Sequence, residues 1–117
     1  MNSRKVLIVT NKMSTVNKIY DFLTKKCLYN SDFLCDSMSA GYRFTNASCG
    51  NDVVADITII AVSNAISEEY KSHGLYDRVI IDSVFEYEDN QEIIKVFEKC
   101  AKHLYDVVDI DLGNLSS

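Results

Sequence analysis

The 117-residue sequence predicts a single α/β domain, and three observations carry that prediction. Three short apolar runs rich in β-branched residues, Lys5 to Thr10 (KVLIVT), Ala55 to Asn64 (ADITIIAVSN) and Arg78 to Asp82 (RVIID), read as strands, the first two covered on both faces. Segments with helical apolar spacing lie between and after them. The composition, 47% apolar and 25% charged, is that of an ordinary globular protein with a real core.

Taken in order, the first strand is Lys5 to Thr10, and Asn11-Lys12-Met13 is the loop after it. Ser14 or Thr15 can cap a helix running to about Lys26. Val16, Ile19, Tyr20, Leu23 and Cys27 form its apolar stripe. Tyr29-Asn30-Ser31 is a polar turn, and Asp32 to Asp36 is a short second strand placed near an edge by its length and flanking acids. Over Met38 to Ala47, Ala40, Phe44 and Ala47 can share one helical face, although Gly41 weakens that helix. Residues 46–52 read as a loop, and the central strand from Ala55 follows.

Ser63 or Asn64 can cap a third helix through Ile66 and Tyr70, with Gly74 as its left-handed stop. Arg78 to Asp82 is the fourth strand. An acidic loop spans Ser83 to Asn90, and Asp89-x-x-Glu92 has the form of a capping box. The helix after it carries Ile93, Ile94, Phe97, Ala101 and Leu104 on one side. Val107 to Ile110 is a fifth strand. Residues 1–112 form the expected domain and 113–117 a disordered tail. Alternating strands and helices with short connections default to parallel pairing and right-handed crossovers.

The formal net charge of −5 argues against nucleic acid, whose phosphates require clustered Lys and Arg. No apolar run approaches the ~20 residues that cross a bilayer, and MNSRK leads straight into a strand, so neither a membrane span nor a signal peptide is expected. Cys27, Cys35, Cys49 and Cys100 include no C-x-x-C pair and have no histidine at ligand spacing. No metal site is therefore expected, and free thiols packed as small hydrophobes fit a cytoplasmic protein. The Asn-x-Ser triplets at Asn46 and Asn114 read as chance matches.

Ligands of open parallel sheets bind beyond the carboxyl ends of the strands. The residues expected there are Thr10, Asn11 and Lys12, then Asp36 and Ser37, then Ser63 and Asn64, then Asp82 and Ser83, and last Asp109 and Asp111. They form a polar rim, either wet loop chemistry or a pocket for a small polar ligand. Neither G-x-x-x-x-G-K-[ST] nor G-x-G-x-x-G occurs, which disfavours a phosphate cradled by backbone N–H groups. His73 and His103 have no Ser or Cys partner in view, and no catalytic residue or cofactor is expected.

Leu7-Ile8-Val9-Thr10-Asn11, Asp56-Ile57-Thr58-Ile59-Ile60-Ala61 and Val79-Ile80-Ile81-Asp82-Ser83 together resemble the receiver domain of bacterial response regulators, over roughly Arg4 to Leu112. The resemblance implies a three-layer, doubly wound, flavodoxin-like fold with a five-stranded parallel sheet of order 2-1-3-4-5. It also shows what is absent. Thr10 and Asn11 stand where receivers carry an acidic pair, and Ala61 stands at the phosphorylated Asp. Ser83 is the one matching site residue. The implied protein is a non-enzymatic pseudo-receiver, a regulatory module that binds a protein partner or dimerises without phosphorylation. Its degenerate pocket would be Thr10, Asn11, Ala61, Ser63, Asn64 and Ser83. Val9-Thr10-Asn11, Ser63-Asn64-Ala65-Ile66-Ser67 and the stretch Gly74 to Ile80 also resemble the second RecA-like domain of superfamily 2 helicases, whose arginine-rich motif is missing between Gln91 and Lys102. A small-ligand or nucleotide-binding domain is the further alternative.

Overall fold

The computed structural model describes residues 4–27, 34–48, 54–62 and 66–110. The chain is α/β, as the sequence predicts, and is built on one six-stranded sheet. In chain order the elements are β1 (Arg4–Thr10), α1 (Met13–Phe22), which runs on into a π-helical turn (Leu23–Cys27), β2 (Leu34–Met38), β3 (Gly41–Ser48) and β4 (Val54–Ala61). A 3-10 turn (Glu68–Tyr70), β5 (Tyr76–Asp82), α2 (Val84–Tyr87), α3 (Gln91–Cys100) and β6 (Ala101–Val108) complete them. The strand order is β2-β3-β4-β1-β5-β6. Strands β4, β1, β5 and β6 are parallel, and β3 runs antiparallel to β2 and β4.

Strand β1 sits between two parallel neighbours. It pairs with β4 from Arg4 opposite Ala55 to Thr10 opposite Ala61, and with β5 from Val6 opposite Arg78 to Val9 opposite Ile81. Its side chains therefore alternate between two covered faces. Leu7 and Val9 join Ile60, Val79 and Ile81 under Phe85, Ile93 and Phe97. Val6 and Ile8 pack with Phe44, Ile57 and Ile59 against Val16 and Ile19 of α1. Helices thus cover both faces of the sheet, which explains why the β1, β4 and β5 sequences carry almost no polar interruption.

The expected order 2-1-3-4-5 is not the one observed. The strand containing Ala55 was expected to separate the first strand from the one containing Arg78. Instead β1 separates them, so the five-stranded parallel sheet is replaced by a six-stranded mixed sheet. Met38 to Ala47, read as a possible helix, lies mostly in β3. The hairpin turn at Ser39-Ala40 brings β3 back against β2, with Met38 opposite Gly41. Gly41 has no side chain for a structural reason: a Cβ there would meet the Ile59 carbonyl oxygen at 1.8 Å. A bulge between Phe44 and Ala47 uses Asn46 at φ 61, a conformation that asparagine tolerates. The second strand covers Leu34–Met38, and Asp32 and Phe33 of the expected strand lie outside the described residues.

Two helices are shorter than their periodicity suggests. The segment around Ile66 to Tyr70 makes only the 3-10 turn, although Gly74 does adopt the left-handed conformation expected of it (φ 64) and donates to the Lys99 carbonyl. Helix α3 ends at Cys100 because Ala101 is already extended (ψ 126). Leu104 consequently belongs to β6, which starts six residues earlier than the predicted fifth strand and pairs with β5 along Tyr76 to Asp82. Asn90, not Asp89, caps α3, its side chain accepting from the Ile93 N–H. His73 and His103 are exposed, in a turn and in a strand. The expected tail at 113–117 and Cys49 lie outside the described residues. No helix among the described residues is long and apolar enough to cross a membrane.

Replacing Gly41 by Ala drives a methyl into the β4 backbone, so G41A is expected to lower unfolding stability by about 2 kcal/mol or more. Urea denaturation followed by circular dichroism measures it, with A40G as the neutral neighbour.

Burial pushes the Cys100 thiol up to about 11, and burial first, then neighbouring acidic groups, pushes the Tyr70 and Tyr105 phenols up to about 12. Each group keeps its proton in the folded chain at a pH where the unfolded chain has released it. Unfolded chains then bind fewer protons, and stability falls as pH rises. The urea midpoint is expected to drop steadily from pH 9 towards pH 12.

Candidate functional site

The carboxyl ends of β4, β1 and β5 lie side by side, and the chain leaves β1 on one side and returns on the other. Residues after β1 pass through α1 to the β2-β3-β4 side, and residues after β4 cross to β5 and β6. This reversal is a topological switch point, where the two halves of a sheet diverge and leave a crevice.

At its centre are two fully buried polar residues, Thr10 and Asp82. The Thr10 hydroxyl donates to Asp82 Oδ2 at 2.6 Å, and the Val84 backbone N–H donates to Asp82 Oδ1 at 3.1 Å. The short O–H···O distance is that of a charge-assisted bond. Both carboxylate oxygens are satisfied from within the fold, which is the condition under which a buried carboxylate is tolerated. Backbone bonds tighten the same end: Val62 N–H to the Thr10 carbonyl, Ala61 N–H to Ala40, and Ser83 N–H to Val108.

The sequence-predicted residues divide into three groups. Thr10, Asn11, Ala61 and Ser83 are brought together, because Thr10 is opposite Ala61 on one side, bonded to Asp82 on the other, and Asn11 and Ser83 follow directly. Ser63 and Asn64 lie outside the described residues. Asp36 is set apart from this rim, on edge strand β2 and paired with Arg43 of β3. Two of the assembled residues hold polar atoms without partners: Asn11 Oδ1 and Ser83 Oγ are buried and make no hydrogen bond. Such atoms are uncommon in native folds and mark places where a bound group can supply the missing bond. Ala61 is half-buried and contributes only its methyl group.

The Thr10–Asp82 bond joins residues 72 apart in the chain and was not readable from either one. The available signal was the matching position of the two residues, each the last of an apolar strand. Among the described residues, no group of three or more His, Cys, Asp or Glu side chains could hold a metal ion. Comparison with known proteins finds no matching family model, no matching curated protein and no matching solved structure.

Replacing Thr10 by Val keeps its shape and leaves Asp82 Oδ2 without a partner in a buried place. T10V is expected to cost about 2 kcal/mol. In a double-mutant cycle with D82N, measured by urea unfolding, the coupling is expected to exceed about 1 kcal/mol. Additive effects would show that the two side chains do not act as a pair.

Proposed function

We propose that this chain is a non-enzymatic binding domain whose switch-point rim, Thr10, Asn11, Ala61 and Ser83, takes a small polar ligand. One observation carries the reading: the adjoining Asn11 Oδ1 and Ser83 Oγ are buried without hydrogen-bond partners. The ligand's chemistry follows from its neighbours. Asn11 Oδ1 accepts, so the ligand must offer an N–H or O–H. The buried Asp82 carboxylate lies directly beneath and repels an anion placed there. A nucleoside base or a sugar hydroxyl meets both conditions better than a phosphate does. The missing glycine-rich loop points the same way.

A second reading keeps the phosphorylation-independent interaction module. It is supported by Ala61, which puts a methyl group where covalent phosphorylation would need a carboxylate. The exposed Leu104 and Val107 on edge strand β6 favour it as well.

A thermal-shift screen with nucleosides, nucleotides, monosaccharides and inorganic anions tests the first reading. Nucleosides or sugars are expected to raise the melting temperature. N11A and S83A are expected to remove the shift while remaining folded, and phosphate alone is expected to give none. A flat screen accompanied by a concentration-dependent mass in light scattering would replace the first reading with the second.

A further inference from the structure

A second recess lies towards the opposite, amino ends of the parallel strands, on the face of the sheet that α3 packs against and beside the 3-10 turn. Its volume is about 340 Å³, within the range that holds a small metabolite. The floor is the sheet itself. Arg43 of β3 stands opposite Thr58 of β4, and Asp56 of β4 stands opposite Lys5 of β1. Glu69, from the 3-10 turn, and Tyr76, at the start of β5, line its wall.

The lining is charged, and its charges do not neutralise one another. Lys71 pairs with Glu68 and Arg78 with Asp106, whereas the side chains of Lys5, Arg43 and Glu69 form no ion pair among the described residues. Asp56 uses Oδ1 to accept the Asn46 N–H at 3.0 Å, which leaves its other oxygen facing the recess without a hydrogen bond. Thr58, itself buried, and Tyr76 both line the recess. Behind it the Tyr70 hydroxyl is buried without a partner, although Tyr70 is only 5% exposed. Arg43 lines the same recess as Tyr76.

We infer that this recess binds a small zwitterion of the size of a free amino acid or dipeptide. The ligand's carboxylate would lie on the Arg43 guanidinium, whose planar fork matches it with two parallel N–H···O bonds. Its ammonium would lie between Asp56 and Glu69. A lone anion would meet the two carboxylates, and a lone cation would meet Lys5 and Arg43. Only a molecule carrying both charges satisfies the whole lining. The inference does not rest on the carboxyl-end reading, since the two places lie at opposite ends of the strands.

The experiment is a titration of the full chain, followed by backbone amide NMR, with each of the common amino acids, a set of glycine dipeptides, acetate and methylammonium. At least one zwitterion is expected to move the amides of Asp56, Thr58 and Tyr76, with R43Q and D56N each weakening it about tenfold or more. N11A and S83A are expected to leave it unchanged. R43Q alters an exposed side chain, so its fold should persist, and its amide spectrum shows this directly. The inference is overturned if no zwitterion shifts these amides up to about 20 mM, a very weak-binding limit. Binding of acetate alone with equal affinity, or full affinity in R43Q, would overturn it too.

Discussion

The constraint on which the rest depends is the position of β1 between two parallel neighbours. A strand hydrogen-bonded along both edges and covered on both faces has no solvent-facing surface, so its sequence must be apolar throughout its body. Leu7 and Val9 are fully buried for this reason. The same placement brings its last residue beside the last residues of β4 and β5. Thr10 therefore has one neighbour that is a methyl group and one that is a carboxylate. The hydroxyl bond to Asp82 ties the two central strands at the point where their backbones diverge.

That bond also decides what the rim can do. Asp82 is a buried carboxylate with both oxygens occupied, one by the Thr10 hydroxyl and one by the Val84 N–H. Breaking the bond would leave a buried polar group unpaired, which costs more than the bond contributes. The rim is thus a fixed arrangement. Adaptability is left to Asn11 and Ser83 at its border, whose polar atoms are not yet used.

Much of the fold was readable in the sequence, and the unreadable parts have physical causes. The runs of β1, β4 and β5 announce themselves because burial on two faces allows no polar interruption. Their order does not, since a crossover can pass to either side of a strand and the local sequence does not say which. β3 was hidden because its buried positions, Gly41, Phe44 and Ala47, recur every third residue, and Ala40, Phe44 and Ala47 also satisfy a helical period. Gly41 looked like a weakness in a helix and is instead a close approach of two backbones. β6 was hidden for a different reason. It follows α3 with no glycine or proline between them, so Ala101 and Leu104 continued the helical pattern. At the site, Thr10, Asn11 and Ser83 were readable as polar strand ends. The pairing of Thr10 with Asp82 was not, because it depends on which strands are neighbours.

The two ends of the parallel strands follow opposite chemical logic, and the register explains why. At the carboxyl end the facing residues are Ala61, Thr10 and Asp82: one methyl group, one donor and one acceptor, a set that closes on itself. At the amino end Lys5 faces Asp56 across β4, while Asp77 accepts from the Lys5 backbone N–H. The Lys5 ammonium stays outside ion-pair distance, and Arg43, although opposite Asp36 in the β2–β3 ladder, forms no ion pair among the described residues either. Charges held on a rigid sheet, with their mutual pairing incomplete, lose less side-chain freedom on binding than charges on loops. The proposed recognition by charge is accordingly placed at the amino end, and the proposed recognition by neutral hydrogen bonding at the carboxyl end. Phosphate-directed chemistry fits neither. The rim places Asp82 where negative charge would have to sit, and the recess sets Asp56 and Glu69 beside its two cations.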